Sequence, residues 1–571
     1  MIFCGWLSAH FGKELNWDMA NYHFYNPFAL IYHRSAVDYW PYSFVHVHLN
    51  PTIDLLTYFL ITHFPPRTAE FILGAIHGIN FILLFLIARF FLMSLVTPIW
   101  QVTISFVLAF LGLYGPTAMP GIGSFQNDNL VSIFVLLFTY LFLWQLKKIE
   151  VASENLAEQF CHVSERKRSQ ESQLAEPGAS ATGAFNHQSL TLLAPFALAG
   201  NGHKQKIPVP ATLFAALFLG IGVGLKLTAA LFALGALLAI LILPIRWQDR
   251  SKYCFLLCIG IGAGMLISAG NWMWTSWQQY HNPVFPLLNG LFHSPDFPAY
   301  SWRDSRFIPQ GFWKNILFPF YFSWDGRSAD VPFRDFRFAI VEVLLLCCSL
   351  RWLARLLFGV KQQPSPNIPL RWFIGFFIAS FIIWQYYFSM MRYIVTLEML
   401  APILILLLSI ELLHVQWQRL LLAGYFATFI LLTMSPTQML RTPYYGKSYF
   451  QVKLPEIVSK TPAAMVLMSF PVYAINRDPR PQTYLIPFFP REWRFVGVPF
   501  DKEAYEILPE VVKLARQYQG KLFLLTTEFN VTRMLQFAKA IGLRSDGACE
   551  NIVSDRQIAQ NEGVRLCPVR F

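Results

Sequence analysis

The first polar segment of the chain concentrates side chains that can accept or donate protons. GKELNWDMANYHFYN places Asp18 shortly after an apolar opening run, and Tyr22 and His23 follow it. A carboxylate in this setting is a candidate general base. A lone loop aspartate can also cap a helix or be solvated. The apolar segment PTIDLLTYFLITHF then has the length of an interfacial helix, which favours a lipid-accessible position for Asp18.

Three later polar residues, in two segments of the chain, could belong to the same site as Asp18. GPTAMPGIGSFQNDNLVSIF places Asn127 and Asp128 at the mouth of an apolar helix. Asp128 is either the N-cap of that helix or a second acid that faces Asp18 across a cavity. Lys226 interrupts two apolar runs in GIGVGLKLTAALFAL. A buried ammonium at a helix break is costly and indicates a functional site, although the Lys226 side chain could instead snorkel to the outer surface.

Basic side chains recur in the segments FSWDGRSADVPFRDFRF and FSMMRYIVTLEML. The guanidinium fork of arginine suits phosphate because it donates two hydrogen bonds at once, and beside a bilayer this predicts a lipid phosphate. Any single arginine could equally be an interfacial anchor. Glu398 is expected to pair with Arg392 or Lys226. The basic and aromatic candidates in these segments are Arg334, Arg337, Arg392 and Tyr393.

The composition requires a lipid environment for much of the chain. Of 571 residues, 55% are hydrophobic and 14% are charged, and the mean hydropathy is +0.42. One water-soluble core cannot bury so much apolar surface. The net charge of +12 is distributed in short segments between apolar runs, which indicates membrane topology and no nucleic-acid partner.

Apolar windows of about 20 residues predict an α-helical polytopic membrane protein with about eleven transmembrane helices. The opening run MIFCGWLSAHF is interpreted as the outer end of a first helix whose N-terminal part is missing. The other windows lie near 68–93, 98–115, 129–146, 209–225, 227–245, 253–273, 336–357, 371–390, 393–413 and 419–435.

The distribution of Lys and Arg predicts the orientation, because positively charged loops stay in the cytoplasm. The Ser-, Ala- and Gln-rich stretch 149–208 is expected to be a disordered cytoplasmic loop. The segments assigned to the outside of the membrane are 12–67, 116–128, 274–335 and everything after about 436. Residues 1–440 are therefore predicted to form the membrane module.

The C-terminal residues 441–571 alternate short apolar runs with a helical pattern, which predicts a small α/β domain outside the cytoplasm. Cys549 and Cys567 lie in this domain, and a disulfide between them is expected if the compartment is oxidising. The eight cysteines show no CxxC and no metal-site spacing, which gives a zinc or iron–sulfur site little support.

Taken together, these residues resemble the GT-C superfamily of membrane glycosyltransferases. The resemblance is strongest to bacterial members with the domain of rhizobial lipopolysaccharide glycosyltransferases and to the family 39 mannosyltransferase type. It covers most of residues 1–440 and departs from the best-known members in having NYHFYN, not an acidic pair, after the first acid. It rests on the order of Asp18, Asp128, the GLKLT break at Lys226, the NPVFPLLNGLF segment and the Arg392–Tyr393 pair.

The resemblance implies sugar transfer with inversion at the outer face of a bacterial inner or plasma membrane. The implied donor is a polyprenyl-phosphate-linked sugar, and the acceptor is a cell-envelope glycan or lipid. Asp18 would be the general base and Asp128 a second catalytic acid. Apart from the resemblance, the carboxylates of these two residues could ligate a divalent cation. The residues expected to bind substrate are Tyr22, His23, Asn127, Lys226, Arg334, Arg337, Arg392 and Tyr393.

Two other functions remain open from the sequence. A polytopic transporter or flippase of a lipid-linked or anionic substrate would also carry polar residues at helix breaks. The chain shows no internal repeat, and its polar residues concentrate in long loops, which argues against transport. A ligase or polymerase that moves a whole glycan from a lipid carrier would share the arginine-rich outer site.

Overall fold

The structure is a computed structural model of the 571-residue chain. It describes every residue except 15, 41–44, 94, 175–207, 298, 301–303, 327, 330–331, 359–366, 414–415, 437–440, 471–482, 500–507, 528–530 and 556–562. The described residues up to 436 are mainly helical, and those from 441 onward contain a β-sheet.

The helices follow the apolar runs of the sequence. They are α1 Ile2–Phe11, α2 Tyr25–Ile31, α3 Asp54–His63, α4 Pro66–His77, α5 Ile79–Leu92, α6 Pro98–Leu113, α7 Asp128–Leu174, α8 Val209–Leu225, α9 Ala230–Leu241, α10 Trp247–Tyr280, α11 Asn289–Phe292, α12 Phe312–Ile316, α13 Phe318–Asp325, α14 Arg337–Leu357, α15 Ile368–Tyr387, α16 Val395–Leu412, α17 Gln416–Thr433, α18 Glu456–Ser459, α19 Leu508–Gln517 and α20 Val531–Ala540.

Several of these helices are compatible with a membrane protein. Among the described residues, five are long and apolar enough to cross a bilayer, namely Pro66–Leu92, Asp128–Val151, Trp247–Tyr280, Ile368–Tyr387 and Met391–Leu412. Shorter apolar helices of 10–17 residues are Ile2–Phe11, Pro98–Leu113, Val209–Leu225, Leu227–Leu241 and Leu421–Thr433. The predicted helical character is confirmed, and these helices are compatible with the predicted membrane location. The number of about eleven spans stays a prediction.

One predicted loop is partly helical. The helix α7 continues beyond its apolar part to Leu174, so the prediction of disorder is wrong for residues 149–174. The reason is the local composition, since IEVASENLAEQFCHVSERKRSQESQL is rich in Glu, Ala, Gln, Lys and Arg, which have high helix propensity. The remainder of the predicted loop, residues 175–207, lies outside the described residues.

The sheet region predicted at the C-terminus is present. Its strand order is β3-β8-β9-β6-β4-β5, with β7 paired to β9, and β4 runs parallel to both β5 and β6. The expected disulfide joins Cys549 to Cys567 in β9. The strands of the chain are β1 Lys13–Glu14, β2 Arg441–Thr442, β3 Val452–Lys453, β4 Ala464–Phe470, β5 Arg494–Pro499, β6 Lys521–Thr527, β7 Arg544–Ser545, β8 Glu550–Ser554 and β9 Val564–Arg570.

The first polar segment packs into this sheet region. Strand β1 pairs antiparallel with β2, and Tyr39 forms a parallel bridge with Val496 of β5. Phe24 packs against Phe450 with 4.9 Å between ring centroids. Residues on both sides of the predicted boundary at 440 therefore share one buried apolar cluster. The sequence could not reveal this contact because it joins segments more than 400 residues apart.

Candidate functional site

The acid predicted to be catalytic lies at the start of an unusual turn. Asp18 immediately precedes a π-helical turn, Met19–His23, whose residues are all buried. The Asn16 side chain accepts a hydrogen bond from the backbone amide of Met19 at 2.8 Å and so holds the start of the turn. Single π-helical turns occur frequently at functional sites because they shift side chains out of the regular helical register.

Asp18 forms an ion pair with an arginine from a distant helix start. Its Oδ2 lies 2.5 Å from Nη1 of Arg392, which stands in a 3-10 turn just before α16. Nε2 of Gln126 donates to the same oxygen at 3.5 Å. Burial opposes ionisation of Asp18, but the Arg392 guanidinium and, to a smaller extent, His23 hold the pKa of the carboxyl below its ordinary value. Asp18 is therefore an anion at neutral pH.

Lys226 forms the second ion pair. It has an extended conformation between α8 and the short turn Leu227–Ala229, so its side chain leaves the helix axis. Its Nζ lies 2.5 Å from Oδ1 of Asp128 and donates to the carbonyl oxygen of Gln126 at 2.8 Å. Asn127, between these two partners, has a left-handed backbone with φ of 65°. Asparagine tolerates this conformation better than most residues do.

The two ion pairs meet at one aromatic ring. The ring centroid of Tyr393 lies 5.3 Å from Cζ of Arg392 and 5.6 Å from Nζ of Lys226. We call Asp18, Asp128, Lys226, Arg392 and Tyr393 the acid–cation cluster. Its two cations keep 22% and 21% of their side-chain surface exposed, so the cluster is accessible from outside the protein core. Five residues singled out from the sequence are thus brought together.

The site is extended by His23, which the sequence singled out, and by Asp54, which it did not. Nδ1 of His23 lies 2.7 Å from Oδ1 of Asp54, and Nδ2 of Asn127 donates to the same oxygen at 2.6 Å. Burial raises the pKa of Asp54, and His23 and Asn127 counteract that increase. The only sequence signal for Asp54 was a charged residue inside the apolar run PTIDLL.

Aromatic side chains surround the turn that follows Asp18. The ring of His46 stacks on Tyr22 at 5.1 Å and meets the edge of Trp17 at 5.2 Å. Burial lowers the pKa of His46 to about 4, so this ring is neutral at physiological pH. Tyr22 also packs against His23 with 4.1 Å between ring centroids. The predicted substrate-binding residues Tyr22, His23 and Asn127 therefore all lie beside the acid–cation cluster.

Arg334 and Arg337 lie elsewhere. Arg337 is fully buried, with Nε at 2.8 Å from Asp335 and Nη2 at 3.5 Å from Glu398. The predicted pairing of Glu398 with Arg392 or Lys226 is therefore wrong, because the packing of α16 against α14 places this acid on Arg337. Arg334 is exposed, and its guanidinium lies 4.9 Å from the Trp324 ring centroid. The contacts of both arginines in the described part of the chain do not include the acid–cation cluster.

A metal site would require several acidic, histidine or cysteine side chains close together. Among the described residues, no group of three or more His, Cys, Asp or Glu side chains could hold a metal ion. One oxygen of Asp18 and one oxygen of Asp128 already contact a cationic side chain. A divalent cation shared by these two acids stays a prediction.

No family model, curated protein or solved structure matches the chain.

Proposed function

We propose that the protein is a GT-C-like membrane glycosyltransferase that moves a sugar from a polyprenyl-phosphate donor to a cell-envelope glycan or lipid. The proposal rests mainly on the acid–cation cluster. Arg392 and Lys226 each lie 2.5 Å from a carboxylate and face the same tyrosine ring. Two accessible cations beside an acid are the groups that a reaction with a phosphate leaving group requires.

The proposed reaction is a single displacement. An acceptor hydroxyl attacks the anomeric carbon of the donor sugar, a new carbon–oxygen bond forms, and the bond to the phosphate oxygen breaks. The leaving polyprenyl phosphate takes the electron pair and gains negative charge, which Arg392 and Lys226 stabilise. The acceptor proton passes to Asp18 as general base.

The ion pair of Asp18 imposes an order on these events. While Arg392 holds the Asp18 carboxylate, the lowered pKa of that carboxyl makes it a weak base. A donor phosphate that binds to Arg392 competes with Asp18 for the same guanidinium. The exchange leaves Asp18 free to accept the acceptor proton. In this scheme the base becomes effective only when the donor is bound.

The proposed location of the reaction is the outer face of the membrane. The β1–β2 pairing joins the first polar segment to the C-terminal sheet region, so both must lie on the same side. The Cys549–Cys567 disulfide favours an oxidising compartment for that side. A periplasm-active reporter enzyme fused after Phe571 is expected to be active. Activity of a cytoplasm-specific reporter at the same position would place the site on the inner face.

The test of the function is an assay of the purified protein with undecaprenyl phosphates that carry different sugars. Wild type is compared with Asp18→Asn, and Asp546→Asn serves as a matched control because Asp546 pairs with Arg570 in the C-terminal sheet region. We expect Asp18→Asn to lose transfer by about 100-fold or more while its melting temperature shows a folded protein, and Asp546→Asn to keep activity. Full activity of Asp18→Asn would remove this acid from the mechanism.

The same preparation distinguishes the competing functions. In vesicles, movement of labelled undecaprenyl phosphate sugar across the bilayer without any glycosylated product would indicate a flippase. Transfer of a whole oligosaccharide, with no transfer of single sugars, would indicate a ligase or polymerase. Transfer of one sugar is the result expected here.

A further inference from the structure

Buried polar atoms without a protein hydrogen-bond partner occur in the three segments that supply Asp18, Asp128 and Arg392 to the acid–cation cluster. Most buried polar groups in proteins are paired, because an unpaired one loses its hydration without compensation. Within the described part of the chain, the atoms of this group are Trp17 Nε1, Asn21 Nδ2 and Oδ1, His23 Nε2, Asn127 Oδ1, Asp128 Oδ2 and Arg392 Nε. They come from three segments that are far apart in the sequence.

The side chains that carry these atoms are held in place. Asn21 is fully buried, His23 is 5% exposed and Asn127 is 1% exposed. Asp54 holds both His23 and Asn127 through the hydrogen bonds at 2.7 and 2.6 Å. The His23 and Asn127 side chains are thus preorganised, although part of their hydrogen-bonding capacity is unused.

The C-terminal sheet region also holds the turn. The Thr483 hydroxyl donates to the carbonyl oxygen of Ala20 at 2.9 Å and also contacts that of Asn21. Phe488, five residues later, packs against Phe24, with 6.2 Å between ring centroids. The backbone that carries Asn21 is therefore fixed by contacts with the C-terminal region.

The unpaired atoms indicate the chemistry of a ligand. Trp17 and Arg392 offer N–H donors, Asn127 and Asp128 offer oxygen acceptors, and Asn21 offers one of each. A phosphate group would require donors alone, and a lipid chain would require neither. A hydroxyl group both donates and accepts, so a ligand with several hydroxyls satisfies such a mixed set. The flat rings of Trp17 and Tyr22 add apolar surface beside these polar atoms.

We infer that the turn from Trp17 to His23, together with Asn127 and Asp128, forms a subsite that binds the hydroxyl groups of the donor sugar. The inference rests on the proposed function. It assigns the two parts of the donor, the phosphate and the sugar, to different residues. The cations Arg392 and Lys226 bind the phosphate, and the Asn21 and His23 side chains bind the sugar. Sugar selectivity then depends on the turn and not on the cations.

The test compares two lipids that differ only in the sugar. Binding of undecaprenyl phosphate and of undecaprenyl phosphate mannose or glucose to the detergent-solubilised protein is measured by native mass spectrometry. Asn21→Leu removes both amide atoms at nearly constant volume. His23→Asn retains an amide at the position that bonds Asp54 and removes Nε2. The matched control is Asn271→Leu, since Asn271 is exposed on α10.

We expect wild type to bind at least one sugar-carrying lipid more tightly than undecaprenyl phosphate. Asn21→Leu and His23→Asn should weaken that binding by about tenfold, since each removes hydrogen bonds to sugar, and leave binding of undecaprenyl phosphate within about twofold. Arg392→Gln should weaken binding of both lipids. Asn271→Leu should change neither. His23→Asn provides the comparison if Asn21→Leu does not fold.

Other outcomes overturn different claims. The sugar subsite is refuted if wild type binds the lipids with and without sugar equally. It is also refuted if the two turn variants weaken the binding of both lipids to the same extent. In either case the phosphate site stands. If wild type binds none of the phosphate lipids, the proposed function fails, and the sugar subsite fails with it.

Discussion

The carboxylate of Asp18 lies 2.5 Å from the guanidinium of Arg392, although 374 residues separate them in the chain. This pair joins the turn after α1 to the start of α16. It gives one of the two cations of the site its own counter-ion. In the proposed reaction, the donor phosphate replaces that counter-ion, so that donor binding and release of the base are one event.

The Asp18–Arg392 pair is expected to show strong coupling in a double-mutant cycle. Asp18→Asn and Arg392→Gln each leave a charge without its partner at a mostly buried position, and each should lower the free energy of unfolding by about 1–3 kcal/mol. The double variant removes both charges and should be less destabilised than the sum of the two. Thermal and denaturant unfolding in detergent measure the free energies of unfolding of the wild type and the three variants. Additive effects would show that the pair contributes no coupling.

Arg337 is expected to affect stability and not lipid binding. Its guanidinium is fully buried between Asp335 and Glu398, so Arg337→Gln leaves two buried acids without a cation and should cost about 3–5 kcal/mol. Arg334→Gln, at an exposed position, is the matched control and should cost less than about 1 kcal/mol. Melting temperatures and undecaprenyl phosphate binding are measured on both. Normal melting with lost binding in Arg337→Gln would favour the phosphate-binding role predicted from the sequence.

The protein is expected to lose stability at mildly acidic pH through His48. Burial of this ring among Tyr280 and Phe285 lowers its pKa to about 4. The unfolded chain therefore binds a proton near pH 6.5 that the folded protein does not accept. Stability should fall as the pH is lowered from about 6.5 towards 4. His48→Phe should flatten this dependence, whereas His63→Phe, at an exposed position, should not. Equal pH profiles for His48→Phe and wild type would contradict the assignment.

The Cys549–Cys567 disulfide is expected to stabilise the sheet region. It closes a loop with a sequence separation of 18. For a loop of this length, the restriction of the unfolded chain stabilises the folded protein by about 3 kcal/mol. Cys549→Ser should lower the protection of β8 and β9 amides in hydrogen exchange of the full chain. Cys258→Ser, which changes an exposed free cysteine of α10, is the control. Unchanged protection in Cys549→Ser would show that this disulfide contributes little.

Local sequence patterns predicted the helical character, the apolar helices and the C-terminal sheet, because hydropathy and periodicity depend only on neighbouring residues. The same patterns singled out Asp18 as a candidate base and Asp128 as an N-cap or second acid. They also singled out Lys226 as a costly buried charge and Arg392 as a candidate phosphate ligand. The extension of α7 to Leu174 was missed because a polar segment without an apolar face resembles a disordered one, even where its residues have high helix propensity.

What each charged group contacts was decided only by the tertiary structure. Lys226 could have snorkelled, but the break between α8 and α9 directs it onto Asp128, 98 residues away. Arg337 has the same chemistry as Arg392, yet the packing of α14 against α16 buries it on Glu398. Asp54 became part of the site only because the chain after the first polar segment folds back onto His23 and Asn127. Such ion pairs and hydrogen bonds depend on distances of a few ångströms between distant segments, and local sequence does not encode those distances.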